Sequence, residues 1–250
     1  MSTDQLVVAA VVKRAAPVLS VFLTALQQLQ GPGTAVVLLE PGADQRRTAL
    51  LTAFAEGTGA TVIGRSHGTN DNDNLLRYAV DHGASHVLLV DDGILLPPPL
   101  PAHLQSLGRD IVAGVYWTEW RLGDRALPNV WVCDEYSFHP RSLSQASDED
   151  KRNAAVEFLE RLRTPGTYQV GGVSGCTLVS ARAVRAGVSF SPLPNLSYWS
   201  EERHFSLRAA ACGFDLWADT QYPPLNLFRD ADMALVPSFM TRWATEGAVL

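Results

Sequence analysis

Apolar residues fall in blocks along the first half of the chain, and the blocks switch between strand-like and helix-like periods. Leu6 to Val12 is a continuous apolar run of strand length. Pro17 suits a first helical turn, and Leu19, Phe22, Leu23, Leu26 and Leu29 then share one helical face, until Gly31-Pro32-Gly33 stops the pattern. Val36 to Leu39 predicts a second strand, Thr48 to Glu56 a short helix and Val62-Ile63 a third strand. Asn72 to His82 predicts a helix, His86 to Val90 a fourth strand and Asp110 to Tyr116 a fifth. Such alternation predicts an α/β fold, with a mainly parallel central sheet, right-handed crossovers and helices on its faces.

The second half reads differently. Trp117 to Phe138 is rich in tryptophan and turn residues, and Ser147-Asp148-Glu149-Asp150 opens a helix in the manner of a capping box. Ala155, Phe158, Leu159 and Leu162 give that helix one apolar face, Pro165-Gly166 ends it, and the unit is expected over the sheet edge. Further on, SEERHFSLRAAACGFDLWAD reads as helix then strand: Ser200 caps, Glu201 and Glu202 favour the positive helix end, and Gly213 stops the turn.

Two pairs of acids carry candidate chemistry. Asp91 and Asp92 follow directly on the apolar run His86 to Val90, and ligands of open α/β sheets bind at the carboxyl ends of strands. Glu201 and Glu202 improve a helix start, which is all that most first-turn acids do. Neighbours on a helix point about 100° apart, so the two glutamates are not expected to share one task.

In order and spacing these segments resemble the GT-A nucleotide-sugar glycosyltransferases, particularly the large family-two-like group. VVAAVVKRAAPVLSVFLTALQQL is similar to its first strand and helix, and the helix and strand ending in Asp91-Asp92 are similar to the pair that delivers its Asp-x-Asp motif. GGVSGCTLVSARAV resembles its donor-lining segment, and EERHFSLRAAACGFDLW its Glu-Asp-x-x-Phe-x-x-Arg segment. The resemblance implies one Rossmann-like domain over residues 1–250, with a nucleotide-binding half (1–116) and an acceptor and catalytic half (117–250). It implies an inverting transfer from a nucleoside diphosphate sugar to a hydroxyl on a glycan, lipid, peptide or small molecule, with Glu202 as general base and Glu201 beside it. Asp91 and Asp92 are the implied donor and metal contacts, Glu40 and Asp44 the base and ribose contacts, and Gly172 and Gly175 the close backbone approach to the donor sugar. Trp117, Trp120, Trp131 and Tyr136 are candidates for stacking on an acceptor.

The implied cofactor is Mn²⁺ or Mg²⁺, but Gly93 stands where the metal-bridging aspartate belongs and Asn226 falls in the segment where a closing histidine is common. Arg203 and Arg229 are then candidates for the cation's role. The same two departures motivate an alternative, a degenerate GT-A domain that binds nucleotide or glycan without turnover. A Rossmann methyltransferase or dehydrogenase is disfavoured, because no glycine fingerprint follows the first strand.

Composition narrows the classes further. The chain has 250 residues, 46% hydrophobic, enough for a substantial core, and its formal charge of -6 disfavours nucleic acid as a partner, with Arg46-Arg47 and Arg203/Arg208 as candidates for a local positive pocket. Three widely spaced cysteines without a C-x-x-C pair argue against a disulfide framework or zinc site, with Cys176 and Cys212 expected in the interior. No apolar run reaches eighteen residues and MSTDQL lacks a signal-peptide pattern, so a cytoplasmic protein without a transmembrane segment is expected.

Overall fold

The structure is a computed structural model that describes residues 5–29, 33–42, 44–65, 68–121, 123–133, 136–197 and 200–246. Its first half runs β1 (Leu6–Val11), α1 (Ala16–Gln27), β2 (Thr34–Glu40), α2 (Gln45–Thr58), β3 (Thr61–Gly64), α3 (Asp71–Asp81), β4 (His86–Val90), β5 (Ile94–Leu95), α4 (Leu100–Ser106) and β6 (Ile111–Gly114). The second half continues with β7 (Trp117–Thr118), β8 (Leu127–Pro128), β9 (Val130–Trp131), α5 (Asp148–Arg161), β10 (Thr167–Val170), β11 (Gly172–Val173) and β12 (Cys176–Ser180). It closes with α6 (Ala181–Arg185), α7 (Glu201–Ala211), β13 (Leu216–Asp219), β14 (Leu225–Asn226) and α8 (Val236–Glu246).

Eight strands form the central sheet, in the order β10-β13-β6-β12-β4-β1-β2-β3. The pairs β1-β2, β1-β4, β2-β3 and β6-β13 are parallel, as expected. β12 runs antiparallel between β4 and β6, and β10 antiparallel on the edge at β13. β12 therefore joins strands of the first half through a segment of the second, and the two expected halves share one sheet.

Alternation along each strand feeds two cores, one on each face. In β1, Val7 and Ala9 belong to the core beneath α3, α5 and α7, whereas Leu6, Val8 and Ala10 meet Leu19, Phe22 and Leu26 of α1 on the other side. Phe158, Leu159 and Leu162 of α5 join the first core, and Arg161 covers the ring of Tyr168 on the edge strand β10. The expected insertion beside the sheet edge is thus present.

Helix starts follow local chemistry. Asn70 caps α3 by accepting from the N–H of Asn72 at 2.9 Å, and Asp44 caps α2 by accepting from Arg47 at 2.9 Å, so α2 begins three residues before the predicted Thr48. Gly59, at φ 75°, ends α2 in the left-handed conformation. The stop after α1 includes Gly31 and Pro32, which lie outside the described residues. Cys176 is buried, whereas Cys212 is exposed at the end of α7 rather than interior, because α7 presents its last turn to solvent.

Candidate active site

The parallel strands β1 and β4 end side by side, and the residues that follow them meet. Asp92 is buried, and its Oδ2 accepts from the backbone N–H groups of Lys13 and Arg14 at 2.5 Å each. Burial pushes its carboxyl above the ordinary range, opposed by those two N–H groups. Asp92 therefore braces the loop after β1 and has one oxygen fully engaged.

Asp91 has the opposite setting. Its side chain opens into the cleft and makes no hydrogen bond to another described residue, although protein crowds it on most sides. That crowding, with the charges of Glu202 and Asp92, pushes its carboxyl up to about 7, while Lys13 and Arg14 pull the other way.

Glu202 faces the same space from the first turn of α7. The cavity above Asp91 is lined by Asn72, Ser174, Gly175, Phe190, Glu202 and Phe205. Ser200 caps α7, accepting from Arg203 N–H at 3.4 Å, and the Tyr136 hydroxyl contacts Ser200 Oγ. Glu201 does not line the cavity itself, but accepts from Nδ2 of the lining residue Asn72 at 3.4 Å, so the two glutamates diverge while both stay at the cavity's edge.

The cleft wall is pinned by buried polar contacts. Asp73 accepts from Phe190 N–H at 2.6 Å and Ser191 Oγ at 2.7 Å, and Arg208 donates to the carbonyls of Ser189 and Ser191 at 2.8 and 2.6 Å. The rings of Phe190 and Phe205 stack 4.4 Å apart. Arg208 is therefore spent on loop carbonyls, and Arg203, which is buried, donates to Ser197 O at 3.0 Å. The positive pocket expected from these two arginines is not formed, because both guanidinium groups turn to backbone oxygen.

Gly172 and Gly175 are required for packing. A Cβ on Gly172 would lie 1.9 Å from the Trp131 indole, and one on Gly175, at φ 71°, would lie 1.9 Å from Tyr116 Oη. Gly175 still borders the cavity, and its carbonyl accepts from Asp91 N–H at 2.8 Å. Trp131 is buried against Gly172 and Trp117 lies under Arg163, so neither offers an open ring face. Trp120 is 60% exposed beside Phe228. Glu40 and Asp44 are occupied locally: Glu40 accepts from Thr48 Oγ1 at 2.8 Å and pairs with Arg47, while Asp44 caps α2.

At a nucleotide site a cation such as Mg²⁺ is held by one or two carboxylates, by substrate phosphates and by water. Gly93 supplies no side chain, Asn226 donates its amide to Thr118 Oγ1 at 2.8 Å, and no group of three His, Cys, Asp or Glu converges among the described residues. Arg229 is paired with Glu119 and Asp232. Two cations to which sequence reasoning gave no role, Lys13 and Arg14, lie close enough to Asp91 for their charges to act on its carboxyl. The rule that singled out Asp91 and Asp92 applies equally to two cationic residues just past an apolar strand, and would have found them.

No family model matches this chain, and no curated protein matches it. Solved structures do. S. aureus TarS 1–349 is similar at 10% identity and a TM-score of 0.55 over 88% of this chain and 59% of that one. Its complex with UDP-GlcNAc gives 10% and 0.56 over 88% and 57%, and a further structure of S. aureus TarS gives 11% and 0.54 over 88% and 36%. This chain thus spans less than two thirds of each. TarS is a GT-A-type glycosyltransferase, and the fold of this chain is of GT-A type.

Proposed function

We propose that the chain is an inverting glycosyltransferase, acting in the cytoplasm on a nucleoside diphosphate sugar and a hydroxyl acceptor, with Glu202 as general base. The observation that carries this reading is that Glu202 and Asp91 line one cavity at the carboxyl end of β4 in a GT-A fold. The complex of TarS with UDP-GlcNAc supports a UDP-sugar as the first donor to try.

The acceptor oxygen forms a bond to the anomeric carbon while the bond from that carbon to the diphosphate breaks, its electron pair leaving with the diphosphate. Glu202 takes the acceptor proton. Asp91, on the cavity floor, orients donor hydroxyls. Phe190 and Phe205 close one side against water, and Glu201, turned away through Asn72, serves the acceptor side. No step passes through a metal ion. Glu40 and Asp44, on the neighbouring strand end, are the proposed border of the nucleotide base.

A thermal-shift panel of UDP, GDP, CDP and dTDP sugars, each with EDTA or Mn²⁺, tests donor binding, since a ligand held only by the native state raises apparent stability. Stabilisation by one nucleotide class supports the reading, and the anomeric configuration of the product, read by NMR, decides inversion. If no sugar nucleotide binds, the reading falls. A second reading, a nucleotide- or glycan-binding domain without turnover, is favoured by Gly93 and Asn226 and would be upheld by binding without transfer to any acceptor.

A further inference from the structure

The space beside Gly93 is taken by a side chain from another strand end. A Cβ on Gly93 would lie 3.1 Å from Arg14 Nη2 and 3.2 Å from its Nε. The guanidinium thus borders the position at which the resemblance expects a metal-bridging carboxylate. We propose that Arg14, assisted by Lys13, is the resident cation for the donor diphosphate, so that nucleotide binding needs no divalent metal ion. The inference rests on the nucleotide-sugar reading above and gives its donor site a specific charge.

Arg14 is held and yet available. Asp92 fixes its backbone through the N–H bond at 2.5 Å and lies 3.8 Å from its Nε. The terminal nitrogens of Arg14 hydrogen-bond to no other described residue, and its side chain is 37% exposed. Lys13 is 61% exposed and 3.9 Å from Asp71, so a second, looser cation stands next to the first. Asp92 balances one of these two positive charges, and the other is left to face a diphosphate.

The other cations nearby are committed elsewhere. Arg65 forms a two-pronged pair with Asp71, at 2.8 and 2.6 Å, and Arg47 donates to Gly42 O at 2.9 Å and Lys13 O at 3.3 Å. A guanidinium matches phosphate oxygens with two parallel N–H groups and is always charged, so a braced arginine can neutralise a departing diphosphate with little rearrangement.

Calorimetry on the full chain with UDP, GDP, CDP, dTDP and inorganic pyrophosphate, each in EDTA and in Mn²⁺, tests this. Pyrophosphate reports the diphosphate site whatever the base. The expected result is affinity in EDTA within about threefold of that in Mn²⁺, and a loss of about tenfold or more in Arg14→Gln, the weight of one charge-assisted contact. Arg14→Lys keeps charge without the fork and should lose less. It also serves if Arg14→Gln fails to fold, which circular dichroism would reveal. Arg182→Gln, a control remote from the cleft at Asp110, should bind normally. Binding that appears only with Mn²⁺, or native affinity in both Arg14 variants, overturns the inference and leaves the nucleotide-sugar reading standing. Failure of every probe in both buffers overturns the two together.

Discussion

Asp73, in the first turn of α3, accepts a hydrogen bond from the backbone N–H of Phe190 at 2.6 Å, across 117 residues of sequence. The carboxylate is 1% exposed and also holds Ser191 Oγ, so one buried acid fixes the loop that walls the cleft. Asp73→Ala leaves two donors without an acceptor. The expected cost is about 2–3 kcal/mol, seen as a fall in Tm of roughly 5–10 °C, with a smaller fall in Asp73→Asn. An unchanged melting curve for Asp73→Ala would show that the loop is held by other contacts.

Asp91 makes stability depend on pH. Its folded carboxyl is pushed up to about 7, above its ordinary 3.8, so the folded state binds the extra proton between those values. The contribution is fully present below about 4 and is lost as pH rises through 7. Asp91→Asn escapes this loss, so its Tm relative to the native chain should improve between pH 4.5 and 8, by roughly 1–3 °C given the open cleft. Parallel curves at both pH values would mean that Asp91 titrates normally.

Glu202→Gln keeps the size of the side chain but cannot take a proton. Donor binding should survive while transfer falls by roughly 10²- to 10⁴-fold, the usual contribution of a positioned base. Glu201→Gln, whose side chain turns to Asn72, should show a smaller loss, mainly in acceptor KM. Native kcat in Glu202→Gln would place the base elsewhere.

Gly175→Ala must accommodate both a left-handed backbone and the Tyr116 hydroxyl, 1.9 Å from the new Cβ. A destabilisation of about 2–4 kcal/mol is expected by chemical denaturation. Tyr116→Phe in the same chain removes only the nearest atom and should recover part of it. Absence of any recovery would assign the whole cost to the backbone.

Gly93→Asp places a carboxylate against Arg14 rather than in an empty metal pocket. Nucleotide affinity in EDTA should fall, by about tenfold, because the new acid pairs with the guanidinium. A gain of Mn²⁺-dependent affinity in this variant would point to a latent metal site.

Local patterns in the sequence were enough for the first-half strands and helices up to β4 and for α5 and α7, but not for α4, β10, β12 or α8, nor for the partners of any element. The stripe Leu19, Phe22, Leu23, Leu26 is a real buried helix face, and the run His86 to Val90 is a real central strand, because apolar period is a local property. The direction of β12 was not legible: Cys176–Ser180 is buried on both faces, and such a run reads alike in either direction. The same limit governed the site. Asp92 looked like a ligand from its place after β4, yet its partners Lys13 and Arg14 lie 79 and 78 residues away. The glycines of the GGVSG segment did mark close approach, but of Trp131 and Tyr116, which no spacing rule could name.

The place of β12 in the sheet also sets an order of assembly. β6 pairs only with β12 and β13, both of which come later in the chain. During synthesis, at about 5–20 residues per second, the apolar strand Ile111–Gly114 therefore waits for both its neighbours, whereas β1, β2 and β3 already have theirs and β4 has β1 alone. Until β12 has been made, the nascent protein carries two apolar strands, β4 and β6, each lacking the neighbour that β12 supplies. The interval before β12 arrives is the one in which these edges are most open to pairing with another chain.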